Sequence, residues 1–144
     1  MGDNRWGGLG WRQITVSTVG LVPGMDALLS TGLPIQLAVS VHAPDDLTRA
    51  RLLPPGRRHC LADILDAADR FRARHRHPVM LQYCLLKGIN DDPGQARLLA
   101  ELIGSRRMAV NLLPYHPTGP GLKGTRYETC PDEVAEAFAR VLRQ

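Results

Sequence analysis

Four apolar runs of strand length alternate with amphipathic segments of helix length along the chain. The first run covers residues 14–19 and ends at Gly20. The segment 23–30 that follows predicts a short helix with Met25, Leu28 and Leu29 inward and Gly32 just past its end. The second run, 35–41, is almost uninterruptedly apolar, the pattern of a strand covered on both faces. Next comes a short predicted helix over 46–53, capped by Asp45 and stopped by Pro54. A longer one over 61–74 carries Leu61, Ile64, Leu65, Ala68 and Phe71 at helical spacing. The third run, 79–86, leads through Gly88-Ile89-Asn90-Asp91-Asp92 into a helix with Pro93 in its first turn, Leu98, Leu99, Leu102 and Ile103 inward, and Gly104 at its end. The fourth run, 108–113, gives way to a loop rich in proline and glycine. A last helix then starts near Pro131, with Val134, Ala137, Phe138, Val141 and Leu142 in its stripe.

Strands joined by helical crossovers pair in parallel, because each connection carries the chain back to the end where it began. The expected fold class is therefore α/β: a partial (β/α) barrel of parallel strands, about four β/α units of a TIM-like barrel. Residues 1–144 are expected to form a single incomplete barrel domain, with 1–13 a flexible lead-in. Such an open wall leaves unpaired edges at 14–19 and 108–113, which predicts self-association or a missing N-terminal half that covers them.

Composition alters this picture little. Apolar residues make up 44% and charged ones 22%, which excludes a disordered class. No apolar run approaches the roughly 20 residues of a membrane span, and Met1 to Arg5 lacks the apolar core of a secretory signal. The expectation is a cytoplasmic protein with no membrane partner. Three widely separated cysteines, Cys60, Cys84 and Cys130, argue against a disulfide framework and fit a reducing compartment.

The net charge of +4, carried mostly by arginine, leans towards acidic partners such as RNA. Arg49, Arg51, Arg57 and Arg58 cluster after the second strand, on the loop side, and are candidates for phosphate contact. Arg70, Arg72, Arg74 and Arg76 recur at every second helical position, which spreads them around a solvated surface.

Candidate chemistry gathers at the predicted C-terminal strand ends: Ser17 and Thr18, Ser40 and His42, Tyr83 and Cys84, and Asn111. Hydroxyl, imidazole and amide groups converging on one rim suit a polar small molecule; the alternative, that each satisfies a neighbouring loop, stays open on the residues alone. His42 is the one histidine at such a strand end. His59, His75 and His77 lie in basic stretches and His116 in the proline-rich loop, so a zinc site is not expected. A Gly-x-Ser-x-Gly turn is missing, and Gly7-Gly8-Leu9-Gly10 precedes a strand and so fails as a phosphate loop.

The four strands together go beyond pattern. Ile14-Thr15-Val16-Ser17-Thr18-Val19-Gly20-Leu21-Val22-Pro23 resembles the "VSTxGxxP" segment of the radical-SAM adenine-C2 RNA methyltransferases, the RlmN/Cfr family. Residues 37–46 resemble its "LAxSLHAPxD" strand and turn, 83–91 its "YxxLxxVND", and 110–117 its "xNLIPxNP". The resemblance implies a radical-SAM barrel that methylates C2 of adenine in 23S rRNA and tRNA, using S-adenosylmethionine and a 4Fe–4S cluster. It places Ser17, Ser40, Val41, His42 and Asn111 on positions similar to the family's S-adenosylmethionine contacts.

The departures carry equal weight. The Cys-x-x-x-Cys-x-x-Cys cluster loop, expected upstream of residue 1, is missing, and so is the methyl-carrying cysteine, expected after Gln144. The expectation is a fragment or truncated member that retains part of the S-adenosylmethionine pocket. It binds no cluster in the family manner and names no catalytic residue or metal ligand of its own. Alternatives are a non-catalytic S-adenosylmethionine- or RNA-binding module, a subunit completing a split barrel, or an unrelated half-barrel enzyme using His42 as acid or base.

Overall fold

A computed structural model describes residues 10–54, 58–121 and 124–144. Its elements run β1 (Thr15–Thr18), α1 (Val22–Ser30), β2 (Gln36–Ser40), α2 (Asp46–Leu52), α3 (Leu61–His75), β3 (Val79–Leu85), α4 (Pro93–Ile103), β4 (Met108–Pro114) and α5 (Asp132–Leu142). All four strands pair in parallel in the order β1-β2-β3-β4. A doubly wound sheet would reverse direction at a switch point. Consecutive order without reversal is the wall of a barrel.

Paired residues share a sheet face, so the register divides the side chains into two layers. Val79, Leu81, Tyr83 and Leu85 of β3 are no more than 1% exposed, and with Leu37, Val39 and Val41 they form the core under α3. Met80, between them on the opposite face, is 37% exposed. The expectation of a sheet covered on both faces is thus corrected. The apolar run 35–41 reflects a central strand, with Ala38 buried between neighbouring strands, while the face carrying Ser17, Gln82 and Asn111 has no helix over it among the described residues.

Helix boundaries follow their caps. The Asp45 carboxylate accepts the Thr48 amide at 2.8 Å to start α2, and Asp46 accepts the Leu61 amide at 2.7 Å, tying the start of α2 to that of α3. Asp92 and Gln95 form a capping box on α4, with Pro93 in its first turn. Leu98, expected inward, is 50% exposed. The buried stripe of α4 is set by Ala96 and Leu99, and at 3.6 residues per turn Leu98 lies about 200° from Ala96. Near the start, Trp11–Gln13 form a turn of 3-10 helix; residues 1–9, including Gly7 to Leu9, lie outside the described residues.

Candidate functional site

The register brings Ser40, Gln82 and Asn111 into one row on the uncovered face. The Asn111 Nδ2 donates to Gln82 Oε1 at 2.8 Å, which leaves the Asn111 carbonyl oxygen directed to accept. Ser17 belongs to the next row down, beside Ala38, Met80 and Ala109. Among the described residues neither serine hydroxyl makes a protein hydrogen bond. Val41 differs from the other candidates: its side chain is in the core, so only its main chain faces the rim.

His42 sits beyond the end of β2 with a left-handed backbone, φ 53°. Four hydrogen bonds hold that conformation, which costs roughly 1 kcal/mol or more for a residue other than glycine. The amides of Val41 and His42 both donate to Gln82 O, at 3.0 and 3.3 Å. The Cys84 amide donates to His42 Nδ1 at 2.9 Å. Asn90 Nδ2 donates to His42 O at 2.7 Å. Because Nδ1 accepts, the neutral ring carries its proton on Nε2. Burial first, and the nearby Arg49 charge second, push the His42 pKa down, so the ring is neutral at pH 7.

Asn90 is the residue that sequence reasoning missed. It is fully buried. Besides His42 it reaches Cys84 O at 2.8 Å, accepts the Leu86 amide at 2.7 Å on Oδ1, and offers its main-chain oxygen to the Tyr83 hydroxyl at 2.8 Å. One side chain therefore fixes the ends of β2 and β3 together. Its signal was an amide side chain in a Gly-x-Asn-Asp turn directly after a buried strand. Gln82 was missed too, because Tyr83 and Cys84 drew attention instead.

Three candidates turn out to be structural. Tyr83 points into the core against Phe138, ring centroids 5.2 Å apart, and burial drives its pKa up. Thr18 Oγ1 accepts the Gly20 and Leu21 amides at 3.1 and 3.4 Å, closing the turn after β1. Arg49, grouped with arginines for phosphate contact, is 0% exposed, and its Nη2 donates to Val19 O and Ser40 O beneath the rim. Arg51 and Arg58 are exposed; Arg57 lies outside the described residues. The three cysteines do not converge: Cys60 precedes α3 in the open, Cys84 is on β3, and Cys130 is buried ahead of α5. Among the described residues no group of three His, Cys, Asp or Glu is placed to hold a metal.

No protein-family model matches the chain. Over 98% of its length it is 64% identical to an Opitutus terrae protein named "Probable dual-specificity RNA methyltransferase RlmN 1", and it spans 40% of that protein. A Salinispora tropica protein of the same RlmN name is 43% identical over 94% of the chain, which spans 36% of it. A crystal structure of a radical SAM methyltransferase from Sphaerobacter thermophilus superposes with a TM-score of 0.86, at 36% identity, over 94% of this chain and 38% of that one. The chain is homologous to the RlmN methyltransferases. It corresponds to about two fifths of their length. The RlmN-like segments now acquire structural reasons. Gly20 occupies a left-handed turn against Ile64, Asn90 locks the rim, and Asn111 takes its place in the row with Ser40. No helix among the described residues is long and apolar enough to cross a membrane.

Proposed function

We propose that the chain forms part of the S-adenosylmethionine-binding wall of a cytoplasmic RNA methyltransferase, and that it modifies RNA only when completed by polypeptide bearing an iron–sulfur cluster. The observation that carries this is the row Ser40–Gln82–Asn111 on the uncovered face, with His42 above it and Ser17 below. The donor set fits a nucleoside-bearing amino acid: two hydroxyls that donate or accept, a carboxamide oxygen that accepts, and an imidazole N–H that donates. S-adenosylmethionine, when bound, supplies the methyl group and, beside a reduced cluster, one-electron chemistry. The residues here bind and orient it, and the sheet shields one side from water. The cluster itself does not fit this chain, because its cysteines lie on different elements.

The free edges support the need for a partner. Beside β4 a groove of about 590 Å³ has an apolar floor of Ile103, Met108, Val110, Leu112 and Leu142, with Arg143 and Gln144 also lining it, a mixed surface open to further polypeptide. Either a second copy or the missing half covers it in this account. Sedimentation of the isolated chain should give a dimer or larger species; a monodisperse monomer whose β1 and β4 amides exchange freely contradicts self-association.

Titration calorimetry tests the cofactor assignment. The chain should bind S-adenosylmethionine without iron, and Ser40→Ala or Asn111→Ala should weaken binding about tenfold, the loss of about one hydrogen bond in the site. Stoichiometric iron uptake after anaerobic reconstitution would overturn the no-cluster assignment. Equal affinity in wild type and both variants would overturn the rim.

A further inference from the structure

At the N-terminal end of the sheet, away from the rim, lies a second concavity of about 320 Å³ lined by Arg72, Ala73, Arg76, His77, Pro78 and Arg107. The alternating arginines of α3 were expected to be solvated singly. Instead Arg72 and Arg76, one turn apart, face the same hollow, and Arg107 joins them from the loop before β4. The chain reverses there through Arg76, whose φ of 60° is left-handed. Arg72 shares Asp69 at 2.8 Å, and the adjacent Arg106 shares Asp66 at 2.7 Å. Arg74, Arg76 and Arg107 pair with no carboxylate among the described residues.

The carbonyl end of α3 favours cations, but by only about 0.3–1 kcal/mol at a surface. That is too little to explain three guanidinium groups around one hollow. Of the three, Arg76 and Arg107 have no carboxylate beside them among the described residues, so like charges face one another across the hollow. Planar guanidinium forks match phosphate oxygens two at a time, and an anion between them relieves the repulsion.

We propose that this hollow is a nucleic-acid contact, binding phosphates of an RNA backbone. The anion site stands on its own geometry; the choice of RNA as the polyanion rests on the function proposed above. β3 spans seven residues between the two ends of the sheet, roughly 20 Å at 3.3 Å per residue, so the phosphates held here are remote from any group held at the rim. The hollow anchors a flanking stretch of RNA, without reading its bases.

The test is anisotropy of a short labelled single-stranded RNA with the 144-residue chain across a salt series. Arg76→Gln combined with Arg107→Gln should lower the slope of log affinity against log salt by about 1.4, two contacts at roughly 0.7 each. Arg140→Gln, on the exposed side of α5, should leave it unchanged. The double lysine variant at positions 76 and 107 should keep the slope, which guards against misfolding of the glutamine pair. No RNA binding, identical slopes in all variants, or an equal loss in Arg140→Gln overturns the site. Equal binding of polyglutamate, lost in parallel, overturns RNA as the ligand. If calorimetry shows S-adenosylmethionine at the rim while the slope is unmoved, this inference fails and the proposed function survives.

Discussion

Asn90→Ala is expected to destabilise the chain by about 4 kcal/mol, because the truncation leaves His42 O, Cys84 O and the Leu86 amide without their shared partner. Each orphaned buried group costs on the order of 1–3 kcal/mol, and water reaches this fully buried site poorly. Relief comes only from relaxation of the His42 turn, which gives back roughly 1 kcal/mol of stored strain. Against a typical total of about 5–15 kcal/mol, the loss is severe. Urea unfolding should show a much lower midpoint at an unchanged slope. A cost below about 1 kcal/mol would mean that the network is not what joins β2 to β3.

Gly20→Ala is expected to cost about 3 kcal/mol through two independent causes. A Cβ there would lie 2.6 Å from Ile64 Cδ1, 2.9 Å from Cγ1 and 3.0 Å from Cγ2. Ile64 is fully buried in the core and has no free direction in which to move. Overpacking of this kind costs roughly 1–3 kcal/mol. The φ of 86° adds about 1–2 kcal/mol for any residue with a Cβ. Pairing Gly20→Ala with Ile64→Val should recover part of the first cost and none of the second, so the double variant loses less than the sum of the singles. Strict additivity in thermal melts would show that the two side chains do not meet.

The architecture was legible in the sequence because its period is simple: apolar runs at strand spacing, 3.6-residue stripes between them, and Pro, Gly and Asp at the joints. What the runs could not show was which strand face stays uncovered. In residues 79–85 the alternation itself, Val79-Leu81-Tyr83-Leu85, assigns Tyr83 to the core and Gln82 to the other face, yet the tyrosine hydroxyl looked like site chemistry. Thr18 drew attention by its place at a strand end, but its hydroxyl closes the turn after β1. Arg49 is the sharpest case. Buried arginine is rare, so its neighbours suggested a basic surface, whereas its guanidinium group bonds the main-chain oxygens of Val19, just past β1, and of Ser40 at the end of β2, under the rim. Long-range pairing of this kind, 30 residues apart for Arg49 and Val19 and 48 for Asn90 and His42, leaves no local pattern to read.

The placement of S-adenosylmethionine on the uncovered face is tested most directly by amide chemical-shift mapping of the labelled chain as the ligand is added. Shifts centred on Ser17, Ser40, His42, Gln82 and Asn111, and fading towards α3 and α5, are the expected result. Shifts confined to the helical side, or to the groove beside β4, would contradict it.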